Sequence, residues 1–201
     1  MTQFEIKDGV AIIPEGTTEI PCRAFFDCKD LTTVVIPDSV TCIVNGAFFG
    51  CSSLTEIVIP NSVTSIGPGA FAYCSSLKEI VIPNSVTQIG YNAFGFCTSL
   101  TNIVIPNGVT SIGDQAFCCA PRRKLVIRNL VTENEPTTVK NASSLTSVTL
   151  PESLTELGKD VFLGCEKLET IYIPTKQANF YREHLPKTLH DKIVEFEPEQ
   201  K

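Results

Sequence analysis

The chain of 201 residues is long enough for one substantial domain, and its 43% hydrophobic and 19% charged residues exclude an intrinsically disordered protein. Its net charge of −6 disfavours a large phosphate-binding surface, so nucleic acid is not an expected partner. No apolar run approaches the ~18–20 residues that cross a bilayer, so we expect no insertion into a membrane.

Residues 1–13 precede a repeated region and predict an N-terminal cap. Their acidic and glycine interruptions differ from an export signal, in which a basic region is followed by an apolar one. As written, the chain is therefore expected in the cytoplasm. A signal removed beforehand would allow the cell surface or secretion.

The next region has a fixed period. Prolines recur every 23 residues at positions 14, 37, 60, 83 and 106, and two more stand 23 apart at positions 151 and 174. The 45 residues between 106 and 151 fit two further repeats if Arg128 of "LVIRNLV" takes the proline position. Seven repeats of 22–23 residues then span 14–173. Such a period is typical of a solenoid, in which each unit buries its apolar face against its neighbours.

The residues before each proline follow the pattern L‑x‑x‑I‑x‑I, in which the last two apolar positions are two residues apart. This is strand periodicity, so each repeat is predicted to add one short strand to a parallel sheet. The residue between the two inward positions must then face outward. These outward residues are Val35, Val58, Val81, Val104, Val126, Thr149 and Tyr172.

The residues after each proline predict a turn, an inward Val and Ile, and a glycine. We expect Gly67, Gly90, Gly113 and Gly158 to supply a positive φ at a corner. The following A‑F‑x‑x‑C has the spacing of a short helical turn. Its phenylalanines are predicted to stack as a spine of the core, and a second aromatic stripe (Phe26, Phe49, Tyr73, Phe96) is predicted to pack between neighbouring turns.

The full pattern L‑x‑x‑I‑x‑I‑P‑x‑S‑V‑T‑x‑I‑G‑x‑x‑A‑F‑x‑x‑C‑x‑S‑L resembles the BspA-type, or treponemal-type, leucine-rich repeat over about residues 14–173. The resemblance implies a β-rich α/β fold: a right-handed leucine-rich-repeat solenoid with short helical turns opposite the strands. It implies that residues 174–201 form a C-terminal cap with a short helix and a final strand. It also implies binding to other proteins or to host surfaces.

Nine cysteines raise the possibility of a metal site or disulfides. Five of them occupy one repeat position (Cys28, Cys51, Cys74, Cys97 and Cys165), which favours a reduced, buried column. Neither paired C‑x‑x‑C spacings nor nearby histidines accompany them, so no metal and no cofactor are predicted. For the vicinal Cys118 and Cys119 we expect one buried and one half-exposed thiol, with a strained disulfide or a soft-metal site as the alternatives.

Catalysis is not predicted. The two histidines, His184 and His190, lie together in the terminal segment, and no recurrent carboxylate pair faces a cleft. One basic cluster, Arg122, Arg123, Lys124 and Arg128, lies where the repeat degenerates. It either binds an acidic partner or is neutralised within the chain while the repeat drifts.

The sequence therefore predicts a noncatalytic module that recognises a protein partner through the strand face. The central contacts expected there are Val58, Val81, Val104, Glu56, Glu79, Asn102 and Tyr172. The alternative is an intracellular scaffold that self-associates through the same face or an imperfectly capped end. We expect a monomer or weak self-association.

Overall fold

A computed structural model describes residues 4–119 and 145–197. Within these residues the secondary structure consists of short strands, one α-helix, α1 (Ala178–His184), and two 3₁₀ helices, Thr175–Gln177 and Lys187–Lys192. The strands are, in chain order, β1 (Ile6–Lys7), β2 (Val10–Ile12), β3 (Glu19–Ile20), β4 (Thr33–Val35), β5 (Cys42–Ile43), β6 (Ser65–Ile66), β7 (Gln88–Ile89), β8 (Asn102–Val104), β9 (Ser111–Ile112), β10 (Ser147–Thr149), β11 (Glu156–Leu157), β12 (Thr170–Pro174) and β13 (Ile193–Phe196).

The predicted strands before the prolines form one side of a parallel-strand solenoid. β2 pairs in parallel with β4, and β8, β10, β12 and β13 pair in parallel with one another. Between these two groups, the coils at 58 and 81 are linked by a parallel bridge between Val58 and Val81. These pairings confirm the predicted fold class.

Each coil also contributes a second strand that the sequence analysis did not predict. β3, β5, β6, β7, β9 and β11 form a six-stranded parallel sheet. The inward Val and Ile of the V‑T‑x‑I segment are three residues apart, which is not the strand period of two, so the sequence pattern does not indicate this strand. Threonine hydroxyls reinforce the stacking: that of Thr64 donates to the Thr41 carbonyl at 3.2 Å, and that of Thr87 donates to the Thr64 carbonyl at 3.2 Å.

The third stretch of each coil contains the A‑F‑x‑x‑C segment, which forms turns with two alternating kinds of hydrogen bond. Phe71 N–H donates to Ala93 of the next coil at 2.8 Å, whereas Ala72 N–H donates back to Gly69 at 3.1 Å. Positive φ angles recur two residues before and two residues after the spine phenylalanine, as at Asn92 and Phe96. This alternation bonds each coil to the next along the whole stretch.

The glycine before each of these turns has a different role from the one predicted. Gly67, Gly90, Gly113 and Gly158 are absent from the described residues with positive φ. Instead, a Cβ at Gly90 would lie 2.5 Å from Pro68 N, and a Cβ at Gly67 would lie 2.9 Å from Asn45 N. Glycine is therefore required because the backbones of successive coils approach too closely for a side chain.

Two coils that are 45 residues apart in the sequence pair directly with each other. β8 pairs directly with β10, β9 pairs directly with β11, and the rings of Phe117 and Phe162 stack 6.0 Å apart. No strand therefore separates 102–104 from 147–149, and the described residues between 14 and 173 stack as six coils. The predicted repeat boundary at Arg128 lies outside the described residues.

The core is a stack of identical positions. The predicted phenylalanine spine is present, with ring centroids 5.2 Å apart between Phe48 and Phe71 and 5.3 Å apart between Phe71 and Phe94. These rings are buried, and truncating such a ring to alanine typically costs about 3–5 kcal/mol. The spine therefore links the stability of every coil to that of its neighbours.

Both ends of the stack are covered. Phe4 stacks on Phe25 at 5.5 Å, and β1 pairs antiparallel with β2. At the other end, the Tyr181 hydroxyl of α1 donates to the Pro151 carbonyl, and β13 extends the sheet beyond β12. Among the described residues, no helix combines the length and apolar character needed to cross a membrane.

The close approach at Gly90 gives a stability prediction. Gly90→Ala should lower the free energy of unfolding by about 3 kcal/mol or more, because the new methyl group would push two coil backbones apart. Gly16→Ala is the control: its Cβ has open space but its φ of +83° is left-handed, so it should cost about 1 kcal/mol. Urea denaturation measures both, and equal losses would contradict the steric explanation.

Candidate functional site

The strand face carries a continuous exposed apolar column. We call it the valine column and define it as Ile12, Val35, Val58, Val81 and Val104. Val58 and Val81 are each 78% exposed although they occupy the middle of the solenoid. The inward neighbours Ile57 and Ile59 are buried, so the strand alternation fixes which side chain faces water.

The predicted contact residues occupy two parallel positions on this face. Glu56 and Glu79 are exposed two residues before Val58 and Val81, and the backbone of Asn102 continues the same position in β8. The structure therefore brings these candidates onto one surface. Tyr172 lies further along the column, 39% exposed, and is separated from Val104 by Thr149.

The column is longer than the sequence analysis expected. Ile12 pairs with Val35, and Val194 of β13 pairs with Tyr172, so both caps extend it. Ile12 could have been found, because "AIIP" at 11–14 matches "IVIP" at 57–60. Val194 had no such sign, since β13 lies outside the repeat.

The aromatic stripe on the turn stretch packs on itself, as predicted. Phe26 stacks on Phe49 at 5.0 Å, and Tyr73 stacks on Phe96 at 4.5 Å. Arg23 lies over the Phe26 ring, 5.2 Å from its centroid. Phe26 and Tyr73 nevertheless remain 45% and 42% exposed.

The cysteine column is reduced and hydrogen-bonded across coils. Cys74 Sγ–H donates to the Phe48 carbonyl at 3.2 Å, and Cys97 Sγ–H donates to the Phe71 carbonyl at 3.2 Å. Burial raises the pKa of the Cys51 thiol to about 12 and raises the pKa values of Cys74 and Cys97 as well. These thiols therefore stay protonated and act as small core residues.

The prediction for Cys118 and Cys119 was wrong, because both are buried and neither is in a disulfide. Cys119 Sγ lies 3.9 Å from Cys165 Sγ. Cys119 thus continues the cysteine column towards Cys165.

The histidines do not assemble a nucleophilic site with a cysteine. A shallow cleft of about 410 Å³ lies between the last coil and the C-terminal cap, where His184 accompanies Lys159, Asp160 and Lys187. Among the described residues that line it there is no cysteine. His190 Nε2 lies 3.1 Å from the Leu185 carbonyl oxygen.

Two other candidate sites, a metal site and the basic cluster, are not formed by the described residues. Within 4–119 and 145–197, no group of three or more histidine, cysteine or carboxylate side chains is arranged to hold a metal ion. The basic cluster of Arg122, Arg123, Lys124 and Arg128 lies outside the described residues. The strand face is therefore the candidate site that the described residues form.

A solenoid of stacked parallel strands with a leucine, isoleucine and phenylalanine core defines the class of leucine-rich-repeat proteins. The family described as the BspA type leucine rich repeat region matches residues 9–119 and 66–185, with six copies. The chain belongs to this family. Such repeats are typically noncatalytic recognition modules. Among curated proteins, no sequence matches the chain.

Solved structures support this assignment. A leucine-rich repeat protein from Bacteroides ovatus is 34% identical, with a TM-score of 0.65 over 82% of this chain and 41% of that protein, so the chain spans well under half of its length. The T. pallidum leucine rich repeat protein is 27% identical, with a TM-score of 0.67 over 94% of this chain and 89% of its own. A leucine rich cell surface protein from Faecalibacterium prausnitzii is 26% identical, with a TM-score of 0.55 over 84% of this chain and 48% of its own.

The burial of the thiols predicts their order of modification. Cys22 is exposed, Cys28 and Cys42 are partly exposed, and the other six cysteines are buried. Ellman's reagent should therefore react with one thiol quickly, with two slowly, and with six only after unfolding in denaturant. Peptide mass spectrometry after timed alkylation assigns each class, and rapid native labelling of Cys74 would contradict the protonated, buried column.

Proposed function

We propose that this protein is a noncatalytic recognition module that binds a protein partner through the valine column and its flanking side chains. The observation that carries the proposal is the exposure of a large aliphatic side chain at the same position of successive coils. An apolar patch of this kind, continuous and rimmed by polar residues, is typical of a protein interaction surface.

The energetics favour this use of the face. Burying one valine side chain stabilises a complex by about 1.5–3 kcal/mol before the costs of association. The inward residues of the same strands hold the scaffold rigid, so a partner would order little of it on binding. Val58, Val81 and Val104 with Glu56, Glu79 and Asn102 form the central part of the proposed contact, and Tyr172 its far end.

Where this protein meets its partner is also part of our proposal, and it is based on a relative. The Faecalibacterium prausnitzii relative is described as a cell surface protein. We infer a comparable setting here, with a host or neighbouring-cell protein as the partner. Adhesion through the strand face is the role that such a setting would give the module.

Charge insertion tests the face. Replacing Val58, Val81 and Val104 together by lysine should abolish capture of the partner without unfolding the chain, because all three side chains already lie in water. Affinity capture from extracts and surface proteins of cells that meet the protein, quantified by mass spectrometry, measures the loss. Circular dichroism checks that the solenoid remains folded.

The matched control places the same added charge away from the strand face. Gln88→Lys with Glu166→Lys also adds three positive charges, at two exposed residues. This variant should capture partners like the unmodified chain. If the triple valine variant retains the same partners, the strand face is not the binding surface.

Self-association is the second candidate function. The six-stranded sheet ends at β3 and β11, and among the described residues no further strand lies beside either of them. A second copy stacked in register would place Glu156 beside Glu19, and like charges opposite each other destabilise a sheet. We therefore expect a monomer whose mass in light scattering does not change with concentration. Glu19→Gln with Glu156→Gln should permit end-to-end association, and a concentration-dependent mass of the unmodified chain would favour the scaffold instead.

A further inference from the structure

The flanks of the valine column are acidic. Glu56 and Glu79 occupy the same position in successive coils, and Val58 pairs with Val81 between them, so their backbones are about one rung, ~4.8 Å, apart. Both carboxylates are exposed, and neither forms an ion pair with any described residue. Two like charges on neighbouring strands repel each other, so a cation placed between them would be favourable.

The opposite edge of the column is acidic only towards its N-terminal end. The exposed residue after the proline is Glu15 or Asp38 there, and it is an uncharged amide in the middle, at Asn61, Asn84 and Asn107. Neither flanking position holds a lysine or arginine in the coils that the structure describes. Lys78 is a nearby exposed cation, one residue before Glu79.

The spacing of the column favours a helix over a strand as the occupant. Its rungs repeat every ~4.8 Å, whereas an α-helix presents a new turn every ~5.4 Å and an extended strand presents same-face side chains only every ~6.6 Å. A helix laid along the column can therefore seat one apolar side chain near each rung over three to four turns. The five residues of the column span about 19 Å, the length of roughly 13 helical residues.

The charge pattern excludes two other occupants. An anionic membrane surface would be repelled by the carboxylates on both edges. A second copy of this chain would present the same acidic edges, and like-charge juxtaposition opposes its docking on this face.

We propose that the partner element bound by the valine column is a basic amphipathic α-helix, with an apolar stripe on the column and lysine or arginine side chains at Glu56 and Glu79. This inference rests on the proposed function and adds the chemistry of the partner to it. The valines supply apolar burial, and the carboxylates favour a positively charged helix over a neutral or negatively charged one.

Synthetic peptides of about 15 residues test the proposal directly. One carries a leucine stripe flanked by lysines. The matched peptides replace every lysine by glutamine or by glutamate, and a fourth places a proline in the middle of the lysine peptide. Fluorescence anisotropy or calorimetry at low ionic strength should show the lysine peptide binding about tenfold tighter than the glutamine peptide. The glutamate and proline peptides should bind more weakly than the lysine peptide.

Charge reversal of the protein provides the sharper comparison. Glu56→Lys with Glu79→Lys should invert the preference, so that the glutamate peptide binds better than the lysine peptide. The matched variant Glu166→Lys with Glu183→Lys has the same change in net charge at exposed residues off this face, and it should keep the original preference. Val58→Ser, Val81→Ser and Val104→Ser together should weaken both peptides without changing their order.

Each outcome separates this inference from the proposed function. Equal binding of the lysine and glutamate peptides, or no binding of either peptide, overturns the proposal of a basic helix. Partner capture then still tests separately whether the strand face is the binding surface. Undiminished binding of the proline peptide overturns the helical conformation. Lysine-peptide binding that survives both the serine and the charge-reversal variants would show that the peptide uses another surface, and it overturns the inference.

Discussion

Successive coils of this protein are held in one backbone register, and the rest of the structure depends on that constraint. Parallel strands bond on two stretches of each coil, and alternating turn residues bond to the next coil on the third, as Phe71 does to Ala93. A single coil is too small to bury its own apolar side. Because the register is fixed, each residue meets the equivalent residue of its neighbour, so that one interaction is repeated along the whole stack.

This register explains both the interior and the surface. Inside, it produces stacked phenylalanine rings and thiols that donate to carbonyls of the preceding coil, as Cys74 does to Phe48. Outside, the same repetition aligns valines into an exposed column and places Glu56 beside Glu79. The candidate binding surface therefore needs no pocket. It arises because one outward residue type recurs at a fixed strand position.

The stack also shows where the repeat can vary. Ser147 stands opposite Asn102 although the two are 45 residues apart, while other neighbouring rungs are joined after 23. Contacts in a solenoid are made only between adjacent coils, so the larger sequence separation leaves the parallel pairing of β8, β10 and β12 unchanged. Cys119 illustrates the adjustment, since it lies against Cys165 and keeps the buried thiol column continuous.

The sequence by itself determined the period, the strands before the prolines, the inward phenylalanines and the outward Val58, Val81 and Val104, because strand alternation is a local property of the chain. The tertiary structure decided which coil is the neighbour of which, and hence that β8 lies directly beside β10 although the two strands are 45 residues apart. It likewise gave Gly90 a packing role instead of a positive φ, and it joined Ile12 to the valine column. These features depend on distances between residues remote in sequence, which a periodic pattern does not contain.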